Sequence, residues 1–136
     1  MSVTTKVTRE QVENLIKRIF EIENARPTKT VEETIAGIDS LMASTVEGWT
    51  NGKHCPNRSV EREFERGLFG SLEDYHRSIE RVIIEPPFAS LEWRLTSVKH
   101  HLEILGCSIW KVNEAGVMAR YWIYLDPAPF TKIGLI

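Results

Sequence analysis

Cysteine is scarce in this chain. Cys55 and Cys107 are its two thiols; they lie far apart with no partner at metal-ligand spacing, so no metal site is expected and a reducing cytoplasm is the compartment that fits. Long apolar runs are missing as well, and nothing reads as a secretory signal or a membrane span. Nor is there an excess of charge of one sign. Seventeen basic against 19 acidic side chains leave a net charge of -2, which makes nucleic acid or a membrane surface a poor electrostatic partner. What remains is an ordinary composition, 42% hydrophobic and 26% charged. It predicts one domain over residues 1–136, able to bury roughly two-thirds of its unfolded surface in a single core.

The clearest element lies near the end. Leu102 to Leu125 reads as two long strands rich in β-branched and aromatic residues, joined by the turn Asn113-Glu114-Ala115-Gly116. In the second strand one register carries Ala119, Tyr121, Ile123 and Leu125, and the other carries Arg120, Trp122, Tyr124 and Asp126. Neither register looks water-facing. The strand is therefore expected to be covered on both faces, by helices on one side and a second subunit on the other. The second register is the one assigned to the interior.

Earlier in the chain, Thr8-Arg9-Glu10-Gln11 and Thr30-Val31-Glu32-Glu33 have the form of capping boxes. Val12, Leu15, Ile16, Ile19 and Phe20 follow the first at helical spacing, and Ile35, Ile38, Leu41 and Met42 follow the second. Val46 to Trp49 reads as a short strand closed by Asn51-Gly52, with His54, Cys55 and Pro56 in a loop. Ser59 is the expected cap of a third helix, whose apolar stripe is Val60, Phe64 and Leu68 and whose solvated face is Glu61, Arg62, Glu63, Glu65 and Arg66. A strand ending in Val82-Ile83-Ile84, the break at Pro86-Pro87 and a strand from Phe88 to Val98 complete the order. Helices first and strands after predict an α+β domain, with helices packed on a mostly antiparallel sheet.

These landmarks, in this order, resemble the nuclear transport factor 2-like superfamily and its SnoaL-like group of polyketide and ester cyclases. Leu72-Glu73-Asp74-Tyr75-His76 is similar to that group's Pro-Asp-x-His turn, Trp93-Arg94-Leu95-Thr96 to its Arg-x-Thr strand, and Gly106 to Lys111 to its penultimate strand. Trp122 with Asp126 is similar to its final Trp-x-x-x-Asp, and Lys132 to Ile136 to its closing tail. The resemblance implies a cone-shaped fold in which three helices wrap a curved sheet around a pocket, and homodimers through the outer face of that sheet. It also implies cyclase, isomerase, dehydratase or epoxide-hydrolase chemistry, although fold alone does not choose among these. Two departures stand out: Ser97 to His101 has no Gly-rich loop, and Ser44 and Thr45 stand where acidic residues often precede the first strand.

Asp126, at a strand end among aromatic residues, reads as an acid or base with a raised pKa, or as a carboxylate that binds the turn before Pro127. The resemblance puts it on the cyclases' acid/base position. Glu92 and Arg94 share a strand face and form either an oriented catalytic pair or a surface ion pair. His76 reads either as a proton-exchanging group, which the resemblance puts at the pocket mouth, or as a solvated or core-satisfied histidine. His100-His101 cannot readily chelate one ion, because neighbours on a strand point apart. Trp49, Trp93, Trp110, Trp122, Tyr124 and Phe64 are the candidate aromatic wall for a planar apolar ligand. The expectation is thus an acid/base enzyme on a small apolar organic compound, needing neither cofactor nor metal. The alternative is a ligand-binding or assembly domain with the same pocket.

Overall fold

The computed structural model describes residues 5–135. Both capping boxes form. Thr8 accepts from the Gln11 amide while the Gln11 side chain accepts from the Thr8 amide, and Thr30 and Glu33 do the same. They start α1 (Arg9–Asn24) and α2 (Val31–Asp39). The α1 stripe Val12, Leu15, Ile16, Ile19 and Phe20 is buried, each large side chain contributing roughly 1.5–3 kcal/mol. α2 stops at Asp39, earlier than its apolar spacing suggests, because Leu41 O accepts from Met118 N and Met42 already pairs with Met118.

The strands are β1 (Met42–Thr50), β2 (Lys53–Cys55), β3 (His76–Glu85), β4 (Phe88–Ser97), β5 (Leu102–Val112) and β6 (Met118–Leu125). They form one sheet in the order β2-β1-β6-β5-β4-β3, antiparallel throughout except where β1 runs parallel to β6. His54 and Cys55 thus belong to a short strand and not to a loop. α3 (Arg58–Ser71) is capped by Asn57, whose Oδ1 accepts from Val60 N at 3.1 Å, so the cap lies two residues before Ser59. α4 (Ala128–Lys132) is a short helix after β6 that the sequence did not announce. Four helices thus pack on a six-stranded, curved, mostly antiparallel sheet. Among the described residues no helix is long and apolar enough to cross a membrane. Ile136, the last residue of the tail motif, lies outside the described residues.

The expected register of β6 is inverted. Tyr121 is buried, whereas Tyr124 and Asp126 are exposed. The cause lies in the neighbouring strands. Gly48 pairs with Tyr121, and a Cβ on it would lie 2.1 Å from the tyrosine ring. The same device recurs at Gly106, paired with Trp93, where a Cβ would meet the indole at 2.3 Å. Each glycine leaves a seat on the helix-covered face into which the neighbouring aromatic ring folds. On the opposite face Trp122 stacks on Trp49, with centroids 5.4 Å apart, and Trp49 stacks on His54 at 5.0 Å.

Candidate functional site

Between the helices and the inner face of the sheet lies a cavity of about 470 Å³. Its wall is mainly apolar, with Phe64, Phe69, Trp93, Trp110 and Phe130 supplying rings. Phe64 and Val60 are about half exposed, and Asn51, Lys53 and His54 are exposed. The cavity therefore opens between α3 and the β1–β2 hairpin.

Two groups of charged side chains reach this space, and both are nearly dry. In the first, Glu23 of α1 accepts from the Tyr75 hydroxyl on one oxygen and from Arg77 Nη2 at 2.6 Å on the other. The Arg77 guanidinium lies between the rings of Phe20 and Trp93, 4.3 and 5.0 Å from their centroids. Its Nε is buried without a hydrogen-bond partner, which the two flanking rings explain. Burial alone would pull the Arg77 pKa down, but the Glu23 charge outweighs it and holds the guanidinium ionised. Burial first, and Glu23 second, push Tyr75 well above the usual phenol range, so that it stays a hydrogen-bond donor.

The second group is built on one stripe of α3. Arg58, Glu61 and Glu65 recur at spacings of three and four and face inward, in line with buried Phe69. Arg58 grips Glu65 with two parallel hydrogen bonds, Nη2 to Oε1 at 2.8 Å and Nη1 to Oε2 at 3.1 Å. Its Nη1 also donates to Glu61 Oε1 at 2.8 Å, and its Nε to Asp39 Oδ1 at 2.6 Å. Arg62 donates to the same Asp39. The other oxygen of Glu61 accepts from the Tyr121 hydroxyl, so the glycine seat at Gly48 places a donor on this acid.

Desolvation is the largest influence on both glutamates. It pushes Glu65 up to about 7, against the pull of Arg58 and with the help of the Glu61 charge. Glu61 is also raised, by desolvation opposed by the hydrogen bond from Tyr121 and the charge of Arg58. Neutral Glu65 can donate to Glu61. Two carboxyl groups this close hold one proton between them more readily than none or two. Cys55, beside Tyr121 and Glu61, has its thiol pushed up by burial.

Of the expected site residues, Trp93, Trp110 and Phe64 line the cavity. Trp93 Nε1 donates to Ser108 Oγ at 2.8 Å, which leaves its ring free to form wall. Trp49, Trp122 and Tyr124 lie on the outer face instead. Glu92 and Arg94 share that outer face, where Arg94 pairs with Glu80 at 2.9 Å and with Glu103. His76 is exposed at the start of β3. Asp126 lies beyond the end of β6, exposed, with Oδ1 accepting from Ala128 N at 3.0 Å, in a turn that runs through Pro127 and not before it. These positions do not converge on the cavity. Glu61 and Glu65 do, held from behind by Arg58, and both fall on the α3 face that the sequence assigned to solvent.

No protein-family model matches the sequence, and no curated protein is significantly similar to it. Solved structures are similar to it. AclR from Streptomyces galilaeus, assigned as a hydroxylase, superposes with a TM-score of 0.75 at 9% identity, over 95% of this chain and 99% of that one. A protein from Jannaschia sp. CCS1, assigned as a SnoaL-like polyketide cyclase, gives 0.72 at 12% identity over 91% of each chain. An NTF2-like protein of unknown function from Exiguobacterium sp. 255-15 gives 0.68 at 17% identity, over 82% and 98%. The fold is that of the nuclear transport factor 2-like proteins. At these identities the likeness extends to the cone of helices and sheet and leaves the chemistry of the cavity to this chain's own residues.

Proposed function

We propose that this protein is a cofactor-independent acid–base enzyme acting on a small, largely apolar organic molecule bound in the cavity. Glu65 is the acid that gives the proton and Glu61 the carboxylate that receives it. The observation that carries this reading is the Glu61–Glu65 pair itself: two adjacent carboxyl groups on one helix face, in a mainly apolar cavity, with burial pushing Glu65 up to about 7. A carboxylic acid with that value holds or releases its proton near neutrality, as general acid–base catalysis needs. Cyclisation, isomerisation, dehydration and epoxide opening all contain such a transfer, and cyclase and hydroxylase are assignments carried by proteins of this fold. The acid/base role that the sequence suggested for Asp126 thereby passes to Glu65.

The second reading, a ligand-binding or assembly domain without chemistry, draws on a different observation. Every oxygen of Glu61 and Glu65 already accepts a hydrogen bond within the protein, as a purely structural network would arrange it. A carboxyl-carbon NMR titration separates the two. An acid–base pair gives Glu65 a midpoint near 7 that falls when Glu61→Gln removes the neighbouring charge, whereas an ordinary carboxylate midpoint in both proteins leaves the binding reading.

We also propose a homodimer through the outer sheet face. Ile83, Leu105, Tyr124 and Phe88 are exposed there beside the stacked Trp49 and Trp122, apolar surface that a second copy would remove from water. The two free thiols suit a cytoplasmic setting. Sedimentation at micromolar concentration yielding a single 15.6 kDa species would remove the dimer.

A further inference from the structure

Away from its mouth, the charges of the cavity balance only while the Glu61–Glu65 pair keeps one proton. Glu23, Glu61 and Glu65 line it with Asp39 bonded behind them, and against these four carboxyl groups stand three guanidiniums in directly bonded sets, Arg77 in the lining and Arg58 and Arg62 behind it, with Lys53 at the exposed mouth. Arg58 is divided among three of those acids. Among the described residues each oxygen of Glu61 and Glu65 takes one donor, and a carboxylate oxygen accepts two. Once the shared proton is lost, the site is short of one positive charge, and it has room for further hydrogen-bond donors throughout. The aromatic lining already accommodates a delocalised cation, since the Arg77 guanidinium rests between Phe20 and Trp93, and ring faces attract cations in this way.

We propose that the ligand of this cavity is a lipophilic amine, its ammonium group seated on the Glu61 and Glu65 carboxylates and its hydrocarbon part filling the space lined by Phe64, Trp93 and Trp110. The inference rests on the reading above in taking this cavity as the ligand site, and on nothing in that reading about catalysis. An ammonium supplies both missing quantities at once, a charge and two or three donors. A carboxylic acid ligand would add an anion beside these carboxyl groups, and a neutral alcohol would bring no charge in place of the proton. Glu65 and Glu61 are faced by Arg58 on their own helix, Asp39 at the end of α2, Glu23 on α1, Tyr75 and Arg77 at and beside the start of β3, Cys55 on β2 and Tyr121 on β6. Most of these groups are spoken for by one another.

Phenethylamine, phenethyl alcohol and phenylacetate share one hydrocarbon frame and differ in charge. Calorimetric titration of the full chain with each at neutral pH is expected to rank them amine, alcohol, acid, with the amine at least about tenfold tighter than the alcohol. Glu65→Gln is expected to bring the amine to within about threefold of the alcohol; should that variant fail to fold by circular dichroism, Glu61→Gln, which keeps the paired bonds from Arg58 to Glu65, serves in its place. Phenylacetate binding as well as the amine, an amine no tighter than the alcohol, or an amine preference retained in the folded variants overturns the proposal. So does the absence of binding by all three, and in each of these cases the titration of Glu65 still decides the acid–base reading on its own.

Discussion

Arg58 and Arg94 each gather carboxylates around one guanidinium, and the comparison between them separates this protein's chemistry from its surface. Arg58 holds Asp39, Glu61 and Glu65 with its side chain 9% exposed, and Arg94 holds Glu80 and Glu103 with its side chain 35% exposed. The ion-pair geometries are alike, with most contacts between 2.6 and 2.9 Å. The medium is not. A pair about 4 Å apart gains about 1 kcal/mol in water and about 4 kcal/mol at the effective dielectric of a partly buried site. The stronger attraction opposes protonation, and it is the desolvation of the buried cluster that lifts Glu65 toward neutrality; only there does losing one member strand the others.

The largest expected effect follows directly. Arg58→Met leaves Glu61 and Glu65 facing one another in an apolar cavity without a counter-charge. Removing one partner of a buried pair costs about 3–5 kcal/mol, so the urea midpoint is expected to fall steeply at pH 8 and much less at pH 5, where the orphaned acids take up protons. An equal loss at both pH values would mean that Arg58 acts through packing alone.

The next effect is a pH dependence confined to the inner cluster. The folded value for Glu65 is pushed up to about 7 by desolvation, against about 4.3 in the unfolded chain. Below the lower value both states carry the proton, and between the two the folded state keeps a proton that the unfolded state has lost. Stability therefore falls as pH rises across that window and levels off above 7, by about 4 kcal/mol at most. Denaturation curves between pH 4 and 8 are expected to show this slope in wild type and to lose it in Glu65→Gln. Persistence of the slope in that variant would assign it to another group.

A smaller effect tests how the cavity is shaped. Gly48→Ala places a methyl group where the Tyr121 ring lies, and overpacking of this kind costs about 1–3 kcal/mol. The Tyr121 hydroxyl is displaced from Glu61 as well. Gly70→Ala is the control: a helical position with nothing within 4 Å of the new Cβ, where the change is expected to stabilise by about 0.5–1 kcal/mol. Equal outcomes in urea denaturation would mean that the Gly48 seat does not fix Tyr121.

The sequence carries some of this plainly and some of it not at all. Both capping boxes, the α1 stripe, the terminal hairpin and the order of landmarks are local signals, and each is present in the structure. The register of β6 is different in kind. Tyr121 and Trp122 are both large and aromatic, and what decides between them is Gly48 on a strand paired in parallel, which is information about topology rather than periodicity. The face of α3 could have been found. Arg58, Glu61 and Glu65 lie on one line with Phe69 and Leu72, so a stripe that begins charged runs on into the core. Reading Glu61 and Glu65 as solvated face discarded that continuity, and it left the candidate site on Asp126 and the strand pair Glu92 and Arg94.

The smallest expected effect is at Arg94, where the comparison is sharpest. Substituting methionine removes contacts to Glu80 and Glu103, but all three side chains are at least a third exposed, so water solvates the two acids as soon as the guanidinium is gone. Exposed pairs of this kind contribute about 0–1 kcal/mol, and Arg94→Met is expected to shift the urea midpoint by no more than that, to do so equally at pH 5 and pH 8, and to leave the Glu65 titration where it was. The outer face adds a complication that works in favour of the test. If a second copy covers this face, Arg94 lies near or within the interface, and the variant then weakens or strengthens association in a concentration-dependent way that sedimentation reads separately from unfolding. A loss of several kcal/mol in the isolated chain, or a displaced Glu65 midpoint, would show that the outer arginine reaches the inner cluster through the sheet, and the division between a chemical face and a surface face would fail.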